Sequence, residues 1–241
     1  MNDQWKLLLK RTKLKNVFIS LYRSYARQVR PAKIRRYLNT QETRKLQIGS
    51  GPNVLEGWLN TDINPGWGSR GSGSVFLDAR RRFPFQDATF DYLFCEHFIE
   101  HVEYCEGREV LRECFRVLKP GGKIRLSTPD LRFLIELYGP EKTAVQKRYI
   151  SWAVESFMPE IGIEDDVFVI NNYFRAWGHK FIYDFPVLQA SMESVGFAVV
   201  TRQTVGISGD GNLAGLESHG GRIGDEFNRL ETLIVEGTKP G

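Results

Sequence analysis

Sulfur is scarce in this sequence of 241 residues: three cysteines, Cys95, Cys105 and Cys114, and three methionines. The thiols are odd in number and include no Cys-x-x-Cys pair, which leaves no disulfide framework and predicts a reduced, cytoplasmic protein. No apolar run approaches the roughly 20 residues that cross a bilayer. The N-terminal segment lacks the long apolar stretch and small-residue cleavage site of a signal peptide, so no secretory leader is expected. There is no internal repeat and no low-complexity tract. Histidine is rare too, at four residues, so the places of those four are read together.

What is present suits one packed domain. Apolar residues make up 41% and aromatic residues 12%, enough for a globular core. The length allows one α/β domain with an insertion and is short for two full domains. The net charge of +4 hides an asymmetry: residues 1–36 carry 11 Lys/Arg and the single acid Asp3, against 22 bases and 28 acids in the remainder. A mildly acidic body argues against a nucleic-acid groove across it.

The basic arm is patterned. From Leu14 onward, Val17, Phe18, Leu21, Tyr22, Tyr25 and Val29 follow the 3–4 spacing of one helical face, with Trp5 and Leu8 ahead of them. Lys10, Lys13, Arg23, Arg27 and Arg30 fall largely elsewhere on the wheel, and Pro31 is expected to end the helix. Two readings stand side by side. The helix packs on the domain or on a sister subunit, or it is a surface helix drawn to anionic lipid, a lipid-linked glycan or nucleic acid. The arm, residues 1–36, is separated here from a main domain of residues 37–241.

The main domain is organised around Lys45-Leu46-Gln47-Ile48-Gly49-Ser50-Gly51, followed by Trp58-Leu59-Asn60-Thr61-Asp62. A short apolar run ends in two glycines one residue apart, and the next run ends in a carboxylate. Glycine at a strand end lets the backbone turn sharply and approach a ligand, because no Cβ intervenes. An acid at the tip of the neighbouring strand can accept hydrogen bonds from both hydroxyls of a ribose. Further on stand Phe90-Asp91-Tyr92-Leu93-Phe94-Cys95-Glu96-His97 and Arg116-Val117-Leu118-Lys119-Pro120-Gly121-Gly122.

These three stretches, in this order, resemble the motifs of the Rossmann-like (class I) S-adenosylmethionine-dependent methyltransferases, of the type 11 kind. The resemblance is dense over residues 44–130 and looser to Pro240. It implies a doubly wound α/β sheet of seven strands with the last antiparallel, and S-adenosylmethionine as cofactor. It also implies that Gly49, Ser50 and Gly51 border the methionine part of the cofactor, that Asp62 holds the ribose, that Asp78 faces the adenine edge, and that Glu96 lies near the methionyl group. A dinucleotide-binding Rossmann site would want a third glycine near Val54 and an acid about 20 residues on, whereas here Pro52 follows the pair and Asp62 comes early. An ordinary strand-to-helix turn, a solvated strand-end acid at Asp62 and a turn-capping Asp78 are the plainer readings of the same residues.

Strands are expected near 45–49, 58–63, 75–78, 90–94 and 123–127, with a clipped helix between the first two and a helix near 107–118. Residues 131–178 break this rhythm with helical patches, where a lid or substrate-recognition insertion would sit. A helix near 185–194, a strand near 198–205, a long polar loop over 206–226 and a last strand near 230–235 complete the chain.

The four histidines fall at the carboxyl edge of this sheet or in elements that can fold over it. His97 and His101, four apart, would share a helical face. His179 stands where the insertion ends, and His219 in the polar loop. Each alone is more often a structural histidine than a catalyst. A metal site from His97, His101 and Glu217 or His219 rests only on an HxxxH spacing, so no metal is assigned. Methyl transfer to a hydroxyl needs a base as the oxygen attacks, and His101 or His179 is expected in that role with His97 and Tyr183 shaping the pocket. Tyr173, Arg175, Trp177, Tyr183 and His219 are the expected acceptor contacts, since aromatic rings stack on sugar faces and Arg175 can hold a carboxylate or phosphate. For these the plainer reading is a lid core.

The resemblance extends to enzymes of bacterial surface-glycan and secondary-metabolite pathways, which implies O-methylation of a sugar or other small hydroxylated acceptor. Rival readings are a methyltransferase held by residues 1–36 at the inner membrane surface, acting on a lipid-linked or quinone-type acceptor; a catalytically idle cofactor-binding module that serves in an assembly through its arm; and a Rossmann dehydrogenase. A homo-oligomer is compatible with each.

Overall fold

The computed structural model describes residues 14–65 and 74–241. The start of the arm, with Trp5, Leu8, Lys10 and Lys13, and most of the Arg70–Ser74 loop lie outside the described residues. Helix α1 runs Leu14–Thr40 and is followed by strands β1, Lys45–Ile48, β2, Leu59–Asp62, β3, Val75–Phe76, and β4, Phe90–Glu96. Next come a 3-10 turn, Ile99–His101, helix α2, Tyr104–Val117, and the long β5, Leu118–Pro129. Three helices form the insertion: α3, Leu131–Leu137, α4, Ala144–Phe157, and α5, Asp166–Arg175. The chain ends with α6, Phe185–Ser194, β6, Ala198–Gln203, α7, Gly220–Ile223, α8, Asp225–Glu231, and β7, Thr232–Thr238.

The strands form one seven-stranded sheet in the order β3-β2-β1-β4-β5-β7-β6. β1 to β5 pair in parallel, and β7 runs antiparallel to both β5 and β6. This is the expected Rossmann-like sheet with its last strand reversed. Leu46, Ile48, Leu93, Ile124 and Leu126 are buried in the main core, as central parallel strands with helices on their faces require. Chain order reverses direction between β1 and β4, and the crevice beyond the carboxyl ends of those strands is where such sheets bind ligands. The glycine turn leaves β1 there, and Glu96 ends β4.

The insertion builds a second core of its own. Phe133, Leu134, Leu137, Tyr149, Val154 and Val169 pack together, with Phe227 and Leu230 of α8 against them. Thr143 caps α4: its hydroxyl accepts from Gln146 N at 3.2 Å, and Gln146 Oε1 accepts from Thr143 N at 2.9 Å. Asp184 starts α6 by accepting from Val187 N at 2.9 Å.

Several expectations are corrected. Pro31 does not end the first helix, which continues to Thr40 with the proline inside it; Ala26 and Ile34, on either side of it, are both buried, so packing outweighs the lost backbone hydrogen bond. No helix intervenes between β1 and β2, and β5 begins at Leu118 rather than near 123, taking in Lys119-Pro120-Gly121-Gly122. The 206–226 loop carries the short α7 and the start of α8, and α5 adds a third helix to the insertion.

Candidate active site

The glycine turn has the geometry that its sequence predicts. Gly49 and Gly51 have φ of 67° and 50°, in the left-handed region that glycine enters without a Cβ clash. A Cβ on Gly49 would meet the Phe98 side chain at 3.2 Å, whereas nothing lies within 4 Å of where one on Gly51 would stand. That open ground lies beside a carboxylate: Asp62 Oδ2 accepts from Gly51 N at 3.0 Å, and Oδ1 from Asn64 N at 2.7 Å. Arg23 of α1 donates in turn to Asn64 Oδ1 at 2.8 and 3.1 Å, so the first helix braces the segment after β2. Ser50 is buried, its hydroxyl 3.0 Å from that of Ser74. Asp78 is gripped by Arg80, which donates from Nε at 2.9 Å and Nη2 at 3.1 Å. Burial alone would raise the Asp78 pKa, but the Arg80 hydrogen bonds outweigh it and hold the carboxyl below 3.8. The free volume at Gly51 next to an oriented acid fits the nucleoside-bearing cofactor that the sequence implies.

Glu96 closes one side of this recess. Its carboxylate accepts from Ser218 N at 2.7 Å, the Ser218 hydroxyl at 2.8 Å, His219 N at 3.0 Å and Asn53 Nδ2 at 3.3 Å. The segment before α7 is thus tied across to the turn after β1. Its base is held by Arg125 of β5, which is 0% exposed. Arg125 donates to Glu217, to Glu236 at 2.6 Å, and to the carbonyls of Ile207 and Thr204 at 2.9 and 3.1 Å. Together these contacts bound a recess of about 170 Å³ between Gly49–Asn53, Glu96 and His219.

A larger cavity of about 430 Å³ adjoins it. The two share His97, His219 and Arg222 on their walls. All four histidines line the larger one, together with Glu100 and Glu231. Tyr149, Trp152, Phe157, Tyr173 and Trp177 of the insertion supply its aromatic side. His97 and His219 lie tilted against each other at 4.2 Å between ring centroids, and His101 meets His179 edge-on at 5.0 Å. His179 Nδ1 lies 2.8 Å from the Tyr173 carbonyl. A carbonyl only accepts, so Nδ1 carries the proton and Nε2 keeps its lone pair.

Charges here are set by burial and by partners. Burial works against a charged His97, but its contact with Glu100 at 3.1 Å outweighs that and raises the imidazole pKa. His179 is lowered by burial, which the Glu100 charge only partly offsets. Glu231 is nearly enclosed; burial would raise its pKa, but donation from His219 at 3.1 Å and from the Tyr149 and Tyr173 hydroxyls holds it below 4.5.

The structure gathers His97, His101, His179, His219, Tyr173 and Trp177 on one cavity, and Gly49, Ser50, Gly51 and Glu96 on the adjoining recess. Asp62 and Asp78 stand at the ends of β2 and β3. Two expected acceptor contacts fall elsewhere. Tyr183 is fully buried in the main core, and Arg175 ends α5 away from the cavity wall. His97 and His101 do not share a helix: His97 turns the chain with φ of 46°, and His101 ends a 3-10 turn. Glu217 is spent on Arg125, which removes it from any metal set. Sequence reasoning passed over Glu100, Glu231, Tyr149, Trp152 and Arg222. Only Glu100 carried a signal, as an acid directly before His101; the others reach the site through folding of distant segments.

The methyltransferase-domain family matches residues 69–126, the segment from just before β3 to the last third of β5. A solved S-adenosylmethionine-dependent methyltransferase from Mesorhizobium loti has 16% identity to this chain and a TM-score of 0.50, covering 87% of this chain and 96% of its own. A second, from Archaeoglobus fulgidus, has 18% identity and a TM-score of 0.49, over 93% and 99% of the two chains. No curated protein sequence matches significantly. The matched domain segment, the strand order and the glycine turn with its acid together support an enzyme that uses S-adenosylmethionine to transfer a methyl group.

Proposed function

We propose that this protein methylates a hydroxyl of a small-molecule acceptor, a sugar or similar metabolite, held in the larger cavity. The observation that carries this reading is adjacency: the glycine-lined recess and the aromatic, histidine-lined cavity share His97, His219 and Arg222. Bound at the recess, S-adenosylmethionine supplies an electrophilic methyl group whose bond to sulfur breaks as the acceptor oxygen attacks. Gly51 leaves room for the nucleoside and Asp62 orients its ribose. Trp152 and Trp177 offer ring surface for an acceptor, so that its hydroxyl lies near the shared wall. The gain comes mostly from holding acceptor oxygen and methyl carbon together. His101 and His179 border the same space, and the exposed lone pair of His179 Nε2 can receive the hydroxyl proton.

The test combines binding and turnover. Calorimetry with S-adenosylhomocysteine should show one site per chain, and labelled methyl donor should mark a small hydroxylated metabolite in a fractionated extract. Binding without label transfer to any fraction would favour an idle cofactor-binding module, and binding of NAD instead would favour a dehydrogenase.

A second reading has its own observation. Val17, Leu21 and Tyr25 of α1 are exposed apolar side chains on a basic helix, the composition of a segment that rests on an anionic membrane. In that reading the acceptor is lipid-linked.

A further inference from the structure

Glu100, His101 and His179 each place one ligating atom within 4.8 Å of the other two. Glu100 and His101 are consecutive in the 3-10 turn, and His179 follows the insertion. The backbone fixes their meeting: Lys180 N and Phe181 N both donate to the Glu100 carbonyl, at 2.7 and 3.2 Å. Each member is also prepared for a cation. The proton on His179 Nδ1 is held by the Tyr173 carbonyl, so Nε2 is the free donor atom. The buried Glu100 carboxylate is oriented by His97 at Oε1 and by the Thr128 hydroxyl, at 3.1 Å, on Oε2. Each of its oxygens has a second lone pair to give. Neither ring nitrogen of His101 meets a hydrogen-bond partner among the described residues. Outer contacts of this kind, which set the tautomer and aim the carboxylate, are what metal ligands characteristically have.

We infer that Glu100, His101 and His179 form a site for a divalent transition-metal cation, of zinc character, whose open coordination positions face the 430 Å³ cavity. Two imidazoles and one carboxylate form a donor set typical of catalytic zinc, which leaves a position for an exogenous oxygen. At ligand bonds of about 2.1 Å, tetrahedral donor atoms stand about 3.4 Å apart, so the side chains close by no more than about 1.4 Å. The set differs from the His97, His101 and Glu217 or His219 grouping that spacing suggested. Glu217 is bound to Arg125, and His97 serves Glu100 from outside.

The cation site stands on the side chains alone, while its use rests on the methyl-transfer reading. In that use an acceptor hydroxyl binds the cation and sheds its proton to water, because a Lewis acid lowers the pKa of a coordinated oxygen. The O–H electron pair stays on the oxygen, which then attacks the methyl carbon. With the cation bound, His101 and His179 serve as ligands, and water takes the proton that the His179 Nε2 lone pair receives in the metal-free chain.

The experiment strips the full chain with a chelator, adds back Zn²⁺ or Co²⁺, and measures metal per chain after gel filtration. Cobalt's visible absorption reports the geometry. One equivalent is expected, with His101→Ala and His179→Ala each weakening retention about 100-fold or more. His219→Ala, in the same cavity but outside the triad, should keep the full equivalent. Glu100 is buried and Glu100→Gln carries a risk to folding, so the partly exposed His101 is the deciding variant, with its circular dichroism matched to the parent. No retained metal in the parent, or an unchanged equivalent in His101→Ala, overturns the assignment. Calorimetry with S-adenosylhomocysteine on the same samples separates the two readings. Intact cofactor binding without metal removes the cation alone, and metal without cofactor binding removes the methyl-transfer role alone.

Discussion

At Asp62, two backbone amides hold a carboxylate against a turn whose glycine leaves open space. Asp62→Ala is expected to weaken S-adenosylhomocysteine binding by roughly 2 kcal/mol through loss of charge-assisted contacts, read by calorimetry; unchanged affinity would place the ribose elsewhere. Glu231 is a different kind of acid, enclosed and held ionised by His219, Tyr149 and Tyr173. Its folded pKa lies below 4.5, so its stabilising contribution is complete above that value and disappears as pH falls through the folded pKa. As pH falls below about 4.5, the melting temperature of the parent should therefore drop more steeply than that of Glu231→Gln. Parallel curves would show that the acid is not a stabilising charge.

Strand β5 shows how an element can carry more than its pattern reveals. Ile124 and Leu126 alternate with Lys123, Arg125 and Ser127, which reads as one apolar and one wet face. In the folded chain the 204–217 segment lies over the polar face and takes Arg125 completely out of solvent, where it pairs with Glu217 and Glu236. Removing one member of such a set strands the others as buried charges, which costs about 3–5 kcal/mol. Arg125→Ala should lose that much stability in chemical denaturation. Because the same segment leads into Ser218 and His219, it should also loosen the Glu96 contacts that border the glycine-lined recess. A loss under about 1 kcal/mol would mean that these ion pairs do not hold the segment in place. Helix α1 carries its own contradiction of pattern, since Pro31 sits inside it and buried Ala26 and Ile34 keep it docked.

For the whole molecule, positive charge is concentrated at one end of the chain, residues 1–36. The basic arm and the outward side chains Val17, Leu21 and Tyr25 stand apart from a mildly acidic body. If α1 rests on anionic lipid, the full chain should float with anionic but not neutral liposomes at low salt, and a Val17→Glu/Leu21→Glu chain should stay at the bottom of the gradient. Equal behaviour of the two chains would leave the helix as a brace for the Asn64 segment, a role Arg23 already performs. None of the described helices is long and apolar enough to cross a membrane.

The sequence alone determined what depends on neighbours along the chain. The strand end at Ile48, the two glycines with positive φ, the acid 11 residues after Gly51 and the cap at Asp184 all follow from local sterics and local hydrogen bonding, which a few residues specify. Tertiary structure decided which side chains share a space. Glu100 meets His179 across 79 positions, Tyr149 meets Glu231 across 82, and Glu96 meets Ser218 across 122. Tyr183, which adjoins the aromatic cluster in the sequence, turned into the main core instead. Local periodicity fixes which face of an element is apolar but not which distant segment will cover it, and the cavity is made of such coverings.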